Sequence, residues 1–406
     1  MTYWGVYLFF LVLANLKLLV YSWFYILPLK KKEFPKKMTR GKILIQYPVR
    51  NEPIEIVDRF LRSPERIPEF HRSRFHLQIL DDYTDPMPAI SVKPCVSFEI
   101  LRRNSRTGRN DKKLGYAKNK AGNLNYGLLN LKEKFDFVMI YDSDHQITDG
   151  LPIIEAAEIL AANPEIVVVQ SRWIFTNKLN SLVNLLQFQQ MGTHIDREQA
   201  FRSYGVMDLY PIMNGAGAMF KLKYVLDTFG GWLERGVIED VDISYQINAR
   251  GKKIFVSQEW ETLIDNPESF SSLRIQWRKW AQGNGQMFKW HLWEPAQDNI
   301  KKAFWLGWMF SFPHGFLKYP FLAIFCYRAF FAEHMSIIET LCLIPHIVAW
   351  VGGAFDNKNK FVWQRVFLYP AQYFLELGIL DQQIRGWYEG FFSQKELEFD
   401  TTPKAA

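Results

Sequence analysis

The stretch "FVMIYDSDHQITDG", residues 137–150, carries the reading of the fold. It begins with apolar and β-forming residues, which read as a buried strand. It then sets Asp142 and Asp144 on either side of Ser143. Two adjacent carboxylates repel one another, so a chain leaving a core on such a pair calls for a cation or a reaction that uses them. In open α/β sheets ligands bind beyond the carboxyl ends of the strands, and that is where this pair falls.

Other segments repeat the pattern. "KILIQYPV" (42–49), "FHLQIL" (75–80) and "IVVVQSRWIF" (166–175) also read as buried strands. "EIVDRFLRS", "NLNYGLLNLKEK" and "PIIEAAEILAANP" have helical spacing, the last with Pro152 suited to a first turn. A long amphipathic helix is expected over 177–201, and "DVDISYQINARG" reads as a shorter one closed by Gly251. Strand–helix alternation implies an α/β domain with a mostly parallel sheet. A second strand end is also acidic, because "LQILDDYTD" supplies Asp81, Asp82 and Asp85. One acidic pair can be a polar turn or a helix cap. Two pairs on two strands of one sheet point instead to a hard divalent ion, Mg²⁺ or Mn²⁺, which takes oxygen ligands and leaves room for substrate phosphates. The chain has neither a G-x-x-x-x-G-K-[ST] loop nor a G-x-G-x-x-G after a strand, which argues against P-loop and dinucleotide folds. Its 8 histidines lack zinc spacing and its 3 cysteines form no cluster.

Composition adds a membrane. Aromatics are 16% of the 406 residues and charged residues only 22%, an apolar excess that is segregated along the chain. Residues 2–29 carry a single charge, Lys17, and about 24 of them would span about 36 Å as a helix. "KKKEFPKKMTRGK" (30–42) follows, and the positive-inside rule then places the main domain in the cytosol. This basic run reads as a membrane-surface anchor, and nucleic-acid binding is not expected. A second apolar zone yields the expected division: an N-terminal transmembrane helix (1–29), a basic linker (30–41), a cytosolic domain (42–290), an interfacial helix region (291–316), transmembrane helices (317–381) and a polar tail (382–406). The expected protein is integral to a membrane: plasma or inner membrane, or Golgi in a eukaryote.

With the acids in place, the remaining motifs resemble one family. In order they are "YPVRNE" (47–52), "LDDYTD" (80–85), "KAGNLN" (120–125), "DSD" (142–144), "NGAGAMFK" (214–221), "GGWLERGVIEDVDIS" (230–244) and "QWRKWAQGNGQ" (276–286). The chain resembles the processive inverting glycosyltransferases of the cellulose, chitin and hyaluronan synthase superfamily. It looks most like the glucomannan synthase-like members. The resemblance implies a GT-A fold over roughly 42–290, a nucleotide-sugar donor (UDP- or GDP-hexose), a polysaccharide or lipid acceptor, and a membrane-lipid environment. Two positions depart from the family pattern: Ile238 stands where the T-E-D motif has threonine, and Lys279 where Q-x-x-R-W has arginine.

The resemblance also implies roles. Asp144 is the main metal ligand, with Asp142 on metal or nucleotide. Pro48, Glu52, Asp81, Asp82, Lys120, Gln276, Arg278 and Lys279 are donor contacts. Asn214, Gly215 and Trp280 lie toward the acceptor, with stacking of Trp280 on the acceptor sugar favoured over anchoring at a membrane interface. Asp240, beside Glu239, is the base for the acceptor hydroxyl, and it could also cap a helix over 241–250. Burial beside Glu239 should raise its pKa. The reaction expected is metal-assisted in-line transfer of hexose to a β-linked polysaccharide. A single-sugar glycolipid synthase and a catalytically silent membrane scaffold are the alternatives.

Overall fold

A computed structural model describes residues 33–83, 87–103, 120–176, 181–193, 209–310, 336–355 and 362–392, with residues 8, 12, 198, 199, 202, 203, 327, 328, 331 and 334 in isolation. The expected N-terminal membrane helix lies outside the described residues except at 8 and 12, and Asp85 lies outside them altogether. The chain divides into two units, one within Lys31–Asn177 and Tyr210–Glu268, the other within Lys178–Leu209 and Ser269–Lys395.

The first unit is built on an eight-stranded sheet. Its strands are β1 (Ile43–Val49), β2 (Phe75–Asp81), β3 (Ser97–Arg102), β4 (Phe137–Ile140), β5 (His145–Ile147), β6 (Ile166–Phe175), β7 (Ala218–Lys221) and β8 (Lys253–Ile264). Their order is β3-β2-β1-β4-β7-β6-β8-β5. β3, β2, β1 and β4 are parallel, as are β6 and β8, but β7 runs antiparallel to both its neighbours and β5 antiparallel to β8. Six of the eight strands thus run in one direction, the mostly parallel sheet that strand–helix alternation predicts, and β7 and β5 are reversed within it. The short apolar run of β7 gives no indication of strand direction.

The reversal shapes the site. Ala218 at the start of β7 pairs with Ile140 at the end of β4, so the chain before β7 emerges at the edge where the parallel strands finish. Asp81, Asp142 and residues 214–217 thus share one edge. Helices pack on the sheet: α1 (Ile54–Arg62), α2 (Lys120–Leu129), α3 (Leu151–Ala162), then, after the second unit's α4 (Leu182–Thr193), α5 (Leu222–Phe229) and α6 (Glu239–Ala249). α1 carries Glu55 in its first turn and Arg59 and Arg62 in its last, matching the helix dipole, and buries Ile56, Val57, Phe60 and Leu61. Phe60 stacks on Tyr47 of β1 with ring centres 3.8 Å apart. Leu124, Val138, Ile140, Phe220, Trp232 and Ile243 form one shared core that joins α2, the sheet and α6.

The second unit is helical, with α4, α7 (Phe270–His291), α8 (Ile337–Gly353) and α9 (Trp363–Phe392). α9 runs well past 381, where a polar tail was expected to begin. α7 and α9 approach closely through glycines: a Cβ on Gly285 would lie 2.2 Å from the Trp387 carbonyl, and one on Gly390 1.9 Å from that of Gln282. Among the described residues no helix is long and apolar enough to cross a membrane. α8 and α9 nevertheless expose Ile337, Leu341, Ile344, Trp350, Phe367 and Phe374.

Candidate active site

Local backbone rules explain how the reactive side chains are presented. α6 starts at Glu239, so Glu239, Asp240 and Asp242 all fall in its first turn, where the helix dipole favours anions. The cap position belongs to Ile238, and Asp240 sits inside the helix rather than capping it. Its Oδ1 accepts the Val241 N–H at 2.9 Å. Gly215 has φ +79°, and a Cβ there would lie 3.0 Å from Asp240 Oδ2. The left-handed glycine therefore lets backbone and carboxylate lie in contact. The approach to β7 is fastened to α6 by Met213 N–H donating to Ser244 Oγ (2.9 Å) and Asn248 Nδ2 donating to the Pro211 carbonyl (2.9 Å).

Lys120, the first residue of α2, bridges the two acidic motifs. Its Nζ lies 2.6 Å from Asp142 Oδ1 and 3.0 Å from Glu239 Oε1. Burial alone would lower the pKa of this lysine, but Asp142 and Glu239 outweigh it and hold the ammonium charged. Enclosure pushes Asp142 up, while Lys120 and then His145 pull it further down, so its carboxyl ends below the ordinary value. Asp240 goes the other way. Burial first and Glu239 second raise it to about 7, against a smaller opposing pull from Lys120. One cation thus lies between two carboxylates beside a third that titrates near neutrality, the pattern expected where an acid or base has to exchange a proton.

Asp144 shares a 3.1 Å hydrogen bond with His145 Nδ1. The His145 ring is buried and set edge-on to Trp173, with centres 5.2 Å apart. Among the described residues no three His, Cys, Asp or Glu side chains form a ready-made metal cage. The donor set still suits Mg²⁺ or Mn²⁺: these ions keep waters and take substrate phosphates, so they need only one or two carboxylates from the protein. Asp142 and Asp144 are the carboxylates that would provide those.

The other expected residues divide between the two units. Asp82 is gripped by Arg103, with Nε and Nη2 at 3.1 and 2.8 Å, and its N–H donates to the Val49 carbonyl. Asp81 accepts the Tyr83 N–H at 2.9 Å, and burial raises its pKa. Both close β2, two strands and about 10 Å from β4 at ordinary sheet spacing. Pro48 lies on β1 opposite Leu80. Glu52 accepts the Ser143 hydroxyl at 3.0 Å. Asn214 N–H donates to Gln170 Oε1 at 3.2 Å. Gln276, Arg278, Lys279 and Trp280 lie on α7 of the second unit. There Arg278 binds Glu389 through Nε (3.1 Å) and Nη2 (2.6 Å), and Trp280 packs edge-on to Trp277. Sequence reasoning missed Arg103, His145 and the fully buried Asp242, held by Arg235 at 2.6 and 2.7 Å. His145 directly follows the D-x-D acids and could have been noticed; the arginine pairings have no local signature.

Residues 137–355 match the family model described as glycosyl transferase family group 2. Two curated relatives are both from Arabidopsis thaliana. The probable glucomannan 4-beta-mannosyltransferase 1 is 28% identical over 68% of this chain and 49% of its own length. The probable glucomannan 4-beta-mannosyltransferase 10 is 26% identical over 77% and 55%. The chain therefore spans about half the length of the curated relatives it matches. Among solved structures, a mannosyltransferase from Pyrobaculum calidifontis in complex with GDP-Man and Mn²⁺ aligns with a TM-score of 0.61, at 15% identity, over 96% of this chain and 99% of that one. That likeness is one of fold.

Proposed function

Because this chain belongs to glycosyl transferase family group 2, we propose that it transfers a hexose, mannose from GDP-mannose in the first instance, to a growing β-linked polysaccharide with inversion at the anomeric carbon. The observation that carries this reading is the Lys120 bridge, which joins the D-x-D carboxylate Asp142 to Glu239, the neighbour of Asp240. In this reading the acceptor hydroxyl gives its proton to Asp240 Oδ2 as its oxygen attacks the sugar carbon. A carboxyl titrating at about 7 is basic enough for that transfer and is still ionised in part at neutral pH. Asp142 and Asp144 would hold the divalent ion, whose chemistry is to offset the negative charge gathering on the departing diphosphate. Lys120 adds a fixed positive charge beside Asp142, where that charge develops. The choice of mannose is supported by the names of the relatives and the contents of the aligned structure.

Membrane attachment belongs to the same reading. It is supported by the apolar residues 2–29, the basic run after them, and the exposed apolar side chains of α8 and α9. The test is to incubate purified membranes with Mn²⁺ and radiolabelled GDP-mannose, GDP-glucose, UDP-glucose or UDP-N-acetylglucosamine, and then to size the product. Label from GDP-mannose in a long β-linked glycan is the expected result. A product carrying one sugar on a lipid would refute polymer synthesis, and no transfer from any donor would refute the enzymatic reading.

A further inference from the structure

A cluster not used by the chemistry above surrounds Ser143, the middle residue of the D-x-D turn. Ser143 is buried and held on two sides. Its Oγ donates to Glu52 Oε1 at 3.0 Å, and its carbonyl accepts the Tyr47 hydroxyl at 3.0 Å. Glu52 is itself fixed from behind. Its Oε2 accepts the Arg50 N–H, and its carbonyl accepts the Tyr83 hydroxyl. The turn that brings it round contains Asn51 at φ +58°, the one left-handed residue other than glycine among those described. Such a conformation costs energy and persists where the surroundings require it. Both carboxylate oxygens of Glu52 thus have partners in the protein, which fits a part in holding the loop better than a part in contacting the donor.

We infer that the turn after β1 is a clamp on the metal-binding turn, in which Glu52 acts as a positioning residue through the Ser143 hydroxyl to set Asp142 and Asp144 for the divalent ion. This inference rests on the function proposed above. The clamp joins the end of β1 to the end of its neighbour β4, so the spacing of the two aspartates is set by the sheet and not by the loop alone. A partner that only orients a metal ligand is still felt in metal affinity: its loss typically weakens binding about 10- to 100-fold.

The experiment measures binding of Mn²⁺ to the full chain in the presence of GDP, by the electron paramagnetic resonance of free Mn²⁺, alongside thermal midpoints. Ser143→Ala, Glu52→Gln and the double variant are compared with the unaltered protein. Ser143→Ala should weaken Mn²⁺ binding about 10-fold, the lower end for a group of this kind. Glu52→Gln should also weaken it, and the double variant should be no worse than the weaker single one. Full Mn²⁺ affinity in Ser143→Ala would overturn the clamp. So would a Glu52→Gln defect that persists undiminished in the Ser143→Ala background, since that would place Glu52 on the ligand itself. A change in thermal midpoint without a change in Mn²⁺ affinity would likewise overturn it. Failure of the unaltered protein to bind Mn²⁺ with GDP or with UDP would instead refute the proposed metal site, a result distinct from the other three.

Discussion

Replacing Asp240 by asparagine should abolish transfer and, at alkaline pH, make the protein more stable. The side chain keeps its shape, and an amide oxygen can still accept the Val241 N–H that Asp240 accepts at 2.9 Å. What disappears is a charge held where burial and Glu239 disfavour it. A carboxyl that titrates at about 7 in the folded chain and at 3.8 when free takes up a proton more readily folded than unfolded. Its ionisation therefore costs the folded state nothing below pH 3.8. The cost grows through the interval up to 7 and is then complete, at up to about 4 kcal/mol. Asp240→Asn removes that cost, so its thermal midpoint at pH 8 should lie above that of the unaltered protein by up to roughly 8–16 °C, given about 2–4 °C per kcal/mol for large domains. The gap should shrink as the pH is lowered toward 4. Thermal denaturation of both proteins at pH 5, 6.5 and 8, with transfer measured in parallel, makes the comparison. An equal or lower midpoint for the variant at pH 8, or residual turnover near the unaltered rate, would refute the placing of Asp240 as a strained base.

Further outcomes follow from the same geometry. kcat/KM of the unaltered protein should fall about tenfold per pH unit below about 7, as Asp240 becomes protonated. Lys120→Met should leave Asp142 and Glu239 facing each other without their cation, at a cost of about 3–5 kcal/mol in a urea titration. Because Lys120 pulls Asp240 down, the acid limb of the pH–rate profile should also move to higher pH in that variant. Gly215→Ala should cost about 1–2 kcal/mol for its left-handed backbone and push on Asp240 from 3.0 Å; kcat should drop at least about tenfold while donor KM changes little. Gly390→Ala would set a methyl against the Gln282 carbonyl of α7 and should lower the thermal midpoint, since overpacking costs about 1–3 kcal/mol.

Much of the parallel half of the sheet can be read from sequence, because β1, β2 and β4 are buried on both faces and so appear as mainly apolar runs, with Gln46 and Gln78 the buried polar exceptions in β1 and β2. β3, "SFEILR", is half exposed and mixes charges with apolar residues, and β5 has only three residues; neither gives a run long enough to detect. β8 carries "SQEW" in its middle and is broken by bulges against β6, which hides its period. The acids of the site were legible as strand ends and as motifs. Their partners were not: Lys120 reaches Glu239 across 119 positions, and Ser143 reaches Glu52 across 91. A pairing over such distances is a property of strand order, and strand order was the part of the fold the apolar pattern could not supply. Gly285, within "QWRKWAQGNGQ", is explained by the close approach of α7 to α9.

The reversed direction of β7 has an evolutionary consequence. In the proposed reaction the carboxylates assigned to the sugar nucleotide come from chain before residue 145, and those assigned to the attacking hydroxyl come from chain after residue 209. Each set hangs on its own loops at a common rim, with Lys120 as the shared tie. On the proposed function, loops on one side would be exchangeable while the strands beneath stay unchanged, so the choice of sugar and the choice of acceptor would be free to change separately.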